Sequence, residues 1–232
     1  TDDRAQHLVR IGARDGAVTR VLDGRRVVGG FDMSAAGRMV ARVATAAHPY
    51  EAFAVEDGSL RPLTQVNDSL MRELSLGTTE DISFRNKDGL TVGALLVKPA
   101  GFTPGKKYPL LLRIHGGPNG QDQHAFAFER ELFAARGYLV LAVNYRGSSG
   151  RGQEWKKAIF ADWGNKEVQD LLGQSYHMQL SEAEAGRLVA SSEGWVTGIL
   201  LQARVGRERG QCRRCRSRRA AANEPGSRLH RT

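Results

Sequence analysis

The sequence predicts an α/β fold, and three observations within one stretch predict it. An apolar run from Pro109 to Ile114 stops abruptly at His115-Gly116-Gly117-Pro118. An amphipathic pattern through Phe126, Phe128, Leu132 and Phe133 then runs to Arg136-Gly137. A second apolar run, Tyr138 to Val143, follows it. Two near-continuous apolar strands separated by a helix are too far apart for a hairpin, so a crossover lays them parallel in a buried sheet. Ligands of such sheets gather beyond the carboxyl ends of the strands, which is where His115–Pro118 and Asn144–Gly150 both fall.

The remaining elements follow in chain order. His7 to Leu22 reads as two short strands around an Asp15-Gly16 turn. The segments RVVGGFDMS, GRMVARVATA, YEAFAVED and SLRPLT come next, separated by Ala35-Ala36-Gly37, His48-Pro49 and Asp57-Gly58. Short strands at this spacing fit either the last blade of a β-propeller or a free-standing β-meander. Between Gly77 and Pro99, two alternating runs flank Lys87-Asp88-Gly89 and predict a hairpin. Beyond Gly152, QEWKKAIFADWG and NKEVQDLL predict two short helices, in which Trp155, Phe160 and Trp163 read as core. A further helical pattern occupies 174–201, with Ser181 and Glu184 placed as a capping box.

Charge and cysteine content bear on function through their placement. Of the net charge of +9, +8 lies between Gln202 and Thr232, where ten Arg face only Glu208 and Glu224. That tail lacks apolar periodicity, so 202–232 is expected to be disordered. An Arg-rich tail binds phosphate backbones weakly and without sequence preference, which gives the alternative reading of a non-enzymatic, nucleic-acid-binding protein. No aromatic side chains are interleaved with the arginines, so single-strand stacking is not supported, and no specific nucleic-acid partner is expected. Cys212-x-x-Cys215 lacks the second ligand pair that a structural zinc requires, so no metal is expected. No apolar run is long enough to span a membrane, and no leader is visible, so a cytoplasmic location is expected.

HGGP after one strand, NYRGSSGRG after the next, then Trp155 and DWGNKEVQDL (Asp162 to Leu171) together resemble the prolyl oligopeptidase family of serine peptidases. The acylaminoacyl-peptidase and dipeptidyl-peptidase branches are the most similar, and the resemblance covers about residues 30–172. It implies the end of a β-propeller over 1–70 and the first part of an α/β-hydrolase domain over 71–173. It also implies a peptide substrate, acyl-enzyme chemistry and no cofactor. Met178 to Leu201 separately resembles a helical segment of maltose-regulator-type transcriptional activators.

The same resemblance places site residues. His115, Gly116 and Gly117 take the oxyanion-side turn, whose glycines let backbone N–H groups approach a substrate carbonyl. Asn144, Tyr145, Arg146 and Gly147 take the loop that lines the site, although Arg146 could equally brace that loop by pairing with Asp162 or Asp170. No catalytic residue is assigned. An α/β-hydrolase serine needs small residues two positions to either side, and the chain contains no G-x-S-x-G pentad. Ser148 follows Arg146 by two, and Ser149 precedes Arg151 by two, so both read as loop residues. His115 is not expected to serve either serine as a base, because the two turns follow different strands. The chain is therefore expected to be an inactive fragment of such a peptidase.

Overall fold

The computed structural model describes residues 1–177 and 199–204, with side chains described through residue 173. The amino-terminal part is all β. A hairpin of β1 (Leu8–Ile11) and β2 (Val18–Leu22) covers a four-stranded meander of β3 (Val27–Met33), β4 (Met39–Thr45), β5 (His48–Glu56) and β6 (Ser59–Pro62). Leu8 and Leu22 pack on Val28, Ala41 and Val43, the inward-facing residues that strand alternation supplies. One boundary differs from expectation. His48-Pro49 opens β5 instead of separating strands, and the turn is made by Ala46-Ala47, where Thr45 pairs with His48.

A short helix, α1 (Asp68–Glu73), not anticipated from the sequence, leads into the second sheet. The link is tied back to β5 by the Glu51 carboxylate, which accepts hydrogen bonds from the Thr64 hydroxyl and from the Asn67 backbone and amide N–H groups.

The second sheet has the order β11 (Ile199–Arg204), β9 (Lys107–Arg113), β10 (Leu139–Asn144), β8 (Thr91–Lys98) and β7 (Thr78–Arg85). The expected hairpin is β7 (Thr78–Arg85) with β8 (Thr91–Lys98), paired antiparallel. The two apolar runs are β9 (Lys107–Arg113) and β10 (Leu139–Asn144), paired parallel as the crossover argument requires, while β10 runs antiparallel to β8. The sheet is therefore mixed, and the fold class is α/β. Every residue of the central β10 is buried. Leu139, Leu141 and Val143 join Val92, Ala94, Leu96, Leu110 and Leu112 on one face, and Val140 joins Val97 and Leu111 on the other. Ala134 of α2 (Phe128–Ala135) packs on that second face, leaving Phe128 and Leu132 exposed. His124 lies in the segment before this helix.

Two helices follow, α3 (Gly152–Lys157) and α4 (Lys166–His177). Trp155 packs against the core, but Phe160 and Trp163 are exposed, contrary to the core placement expected of them. The helical pattern over 174–201 is also corrected at its end. Ile199–Arg204 forms a strand, β11, antiparallel to β9, and this strand also takes the first residues of the tail expected to be disordered. The rest of both segments, 178–198 and 205–232, lies outside the described residues. None of the described helices is long and apolar enough to cross a membrane.

Candidate functional site

Because β9 and β10 are parallel neighbours, the loops that leave their carboxyl ends lie side by side. The first is His115–Gly120. Gly117 sits at φ 115°, a conformation that side chains other than glycine rarely adopt. A Cβ on Gly120 would come within 2.7 Å of the Gly116 carbonyl oxygen. Gly116 and Gly117 are exposed, and their backbone N–H groups meet no acceptor among the described residues.

The rest of the turn is held firmly. The His115 ring stacks on Tyr145 with centroids 4.6 Å apart and planes 12° apart. The Tyr145 hydroxyl donates to the His115 carbonyl at 2.5 Å. Burial pushes the Tyr145 phenol up to about 12, so it stays a donor at neutral pH. His115 Nδ1 lies 3.2 Å from the Gly116 carbonyl, and Nε2 lies 2.9 Å from Ser148 Oγ. The carbonyl can only accept, so Nδ1 carries the proton and Nε2 accepts from the Ser148 hydroxyl. Burial holds the ring below the usual histidine range, outweighing the nearby Asp122 carboxylate, which favours the charged form.

This His–Ser contact departs from the expectation that turns on different strands keep His115 away from both serines. Strand adjacency overturns it. The pair nevertheless has no route to a substrate, since Ser148 is 0% exposed. In this arrangement the histidine and serine lock two loops together.

The second loop is anchored from beneath. Asn144 mimics a strand pairing with Asp122: its Oδ1 accepts from the Asp122 N–H at 2.8 Å, and its Nδ2 donates to the Asp122 carbonyl at 2.9 Å. Arg146 is buried and turns away from solvent. Its backbone N–H donates to Asp170 at 2.8 Å, and its guanidinium reaches Asp170, Asp88 and the Lys166 carbonyl. Asp170 also accepts from Asn86 Nδ2 at 2.7 Å. Of the two acids named from sequence, Asp170 is the partner, while Asp162 pairs with Lys166. Gly147, at φ 101°, donates its N–H to the Trp155 carbonyl, and the Trp155 indole donates to the Tyr145 carbonyl.

A polar cluster at the amino-terminal segment also meets these loops. Asp81 of β7 lies within 3.3 Å of Arg4, 2.8 Å of Arg25 and 3.0 Å of His124 Nε2. Burial lowers the His124 pKa against the pull of Asp81. The Arg4 carbonyl accepts from the His124 N–H, and the Arg4 N–H donates to Gln121. No group of three or more potential metal ligands occurs among the described residues.

Comparison with known proteins places this arrangement. Residues 124–195 match the model of the prolyl oligopeptidase family, a match that runs past Leu172 and through part of the stretch read as regulator-like. An uncharacterised peptidase of Bacillus subtilis, YuxL, is 36% identical over 134 residues, covering 57% of this chain and 20% of that protein. Dipeptidyl-peptidase 5 of Schizosaccharomyces pombe is 33% identical over 148 residues, 57% of this chain and 22% of the relative. The acylaminoacyl peptidase of Pyrococcus horikoshii superposes with a TM-score of 0.67 at 28% identity, covering 76% of this chain and 28% of that structure. The chain thus spans between a fifth and just over a quarter of the length of these relatives. Over the stretch they share, the chain is similar in sequence and fold to members of the prolyl oligopeptidase family of serine peptidases.

Proposed function

We propose that this chain supplies the oxyanion side of a peptide-cleaving acyl-transfer site, and that it is not competent for catalysis by itself. The observation that carries the reading is the pair of exposed glycines, Gly116 and Gly117, whose N–H groups have no partner among the described residues, in a turn whose other groups are fixed by His115, Tyr145 and Ser148. Donors held in place before charge develops need no reorganisation when a substrate carbonyl becomes tetrahedral, and one such donor is worth about 10²–10³ in kcat. Residues 71–173 would be the first part of an α/β-hydrolase domain and 1–70 the end of a propeller. Asn144, Tyr145, Arg146 and Gly147 serve the site by holding the turn, with Arg146 as the brace. The substrate is a peptide, and the reaction uses no cofactor. Among the described residues no serine stands in a G-x-S-x-G pentad, and Ser148 is sealed beneath the turn.

The test has two arms. The chain alone should take no label from a fluorophosphonate probe and turn over no chromogenic acyl-peptide. A chain continued after Leu172 with the sequence of a peptidase relative, and given a full propeller, should be active. In that extended chain Gly116→Pro, which deletes one N–H, should lower kcat by about 10²-fold, while Gly116→Ala, which keeps it and meets open space, should not. Stoichiometric labelling of Ser148 or Ser149 in the present chain would overturn the reading.

A further inference from the structure

Beside the turn lies a cleft that the hydrogen bonds of the site do not use. It encloses about 430 Å³ between Pro118 and Asn119 of the turn, Lys156 and Lys157 at the end of α3, and Phe160 and Trp163 beyond. Ile159, 2% exposed, forms part of its lining and packs so closely on Gly147 that a Cβ there would collide with it. The cleft therefore borders both loops of the candidate site.

Its walls are of two kinds. Phe160 is 85% exposed and Trp163 68%, so two large rings stand in water on a concave surface, the arrangement expected of a binding surface. The other wall is cationic. The ammonium groups of Lys156 and Lys157 have no ion pair or hydrogen bond among the described residues. The acids nearby are engaged elsewhere: Asp162 with Lys166 and Asn165, and Glu167 with the Gly164 N–H. Glu154, one turn earlier on α3, bonds neither lysine. An occupant that satisfies both walls has a large apolar side chain beside a negative charge.

We infer that this cleft is a substrate subsite for an acidic peptide segment, with an aromatic side chain resting on Phe160 and Trp163 and an adjacent carboxylate between Lys156 and Lys157. The inference builds on the reading of the His115–Gly117 turn as substrate-facing and adds a preference that the turn itself does not supply. Bidentate geometry is not needed here, because a lysine ammonium acts as a point charge with rotatable donors.

The test reads binding, so it does not depend on turnover. The full chain, labelled with ¹⁵N at its tryptophan indoles, is titrated with N-acetyl-Phe-Asp-amide and with the neutral isostere N-acetyl-Phe-Asn-amide. The Trp163 signal is assigned by its disappearance in Trp163→Phe. The acidic peptide should shift that signal saturably and bind about three- to tenfold more tightly than the isostere, since each exposed Lys–carboxylate pair contributes modestly. Raised salt should shrink the difference. Lys156→Ala with Lys157→Ala should abolish it, and the fold should survive because both side chains are exposed. Phe160→Ala should weaken both peptides alike. Equal affinity of the two peptides, a preference that outlives the lysines, or no saturable shift at Trp163 would each overturn the subsite. Failure of the extended chain to cleave peptides would instead strike the oxyanion reading and leave this binding result standing.

Discussion

Replacing Asp170 by Asn leaves the Arg146 guanidinium buried beside a neutral amide. The side chains of this pair are 0% and 5% exposed, so water does not replace the lost carboxylate, and the Arg146 guanidinium keeps only the exposed Asp88 and the Lys166 carbonyl as partners. The lost carboxylate had accepted from the Arg146 backbone N–H, from its guanidinium and from Asn86 Nδ2, and an amide in its place points an NH₂ at donors that need an acceptor. Breaking a buried pair by removing one partner costs about 3–5 kcal/mol. For a chain of this size each kcal/mol moves the midpoint by about 2–4 °C, so the transition should fall by about 6–20 °C. Near-ultraviolet circular dichroism follows it directly, because Tyr145 adjoins Arg146 and the Trp155 indole is bonded to the Tyr145 carbonyl. A second variant separates charge burial from simple packing. Removing both charges with Arg146→Met and Asp170→Leu should cost less than the two single changes added together, since each single change deprives a buried charge of its buried partner and the double change leaves neither charge in place. A midpoint for Asp170→Asn within about 2 °C of the parent, or strictly additive costs, would refute the reasoning.

Two shorter predictions concern the turn. His115 titrates below its ordinary value when folded, so as pH falls past about 6.5 the unfolded chain takes up a proton that the buried ring resists, and stability is lost. Denaturant midpoints measured from pH 7.5 to 5 should therefore decline, and His115→Gln should reduce the slope without abolishing it, because His124 is lowered by burial in the same direction. Tyr145→Phe keeps the ring stacked on His115 but strips the hydrogen bond from the His115 carbonyl. It should cost about 1–3 kcal/mol in urea denaturation and move the His115 imidazole resonances.

Much of the architecture was legible because β9 and β10 announce themselves as apolar runs, and a helix between such runs leaves parallel pairing as the short solution. Arg146 was legible as a brace because its candidate acids, Asp162 and Asp170, lay within reach in sequence, although only packing decides that Asp170 is the buried one. Other features were hidden for identifiable reasons. Ile199-Leu200-Leu201 is a short apolar run of the kind that periodicity cannot divide between helix and strand, and the free edge of β9 settles it. Phe160 and Trp163 have core chemistry, but burial depends on what the fold places over a residue, and nothing among the described residues covers these two. His115 and Ser148 lie 33 positions apart, and their contact needs strand order as well as strand existence.

That last point extends to the amino-terminal segment. Arg4 bonds the carbonyls of Ile82 and Ala94 on β7 and β8, and its own backbone bonds Gln121 and His124 in the loop that follows the turn. Asp81 supplies the charge that keeps Arg4 and Arg25 there. Gly150 completes the contact, since a Cβ at that position would press on the Asp2 carbonyl at 3.1 Å. A segment that precedes the meander is thus pinned on the sheet and on both site loops at once. Gln121 and Gly150 flank the His115–Ser148 lock, so the two loops are held by contacts from the amino-terminal segment as well as from the sheet.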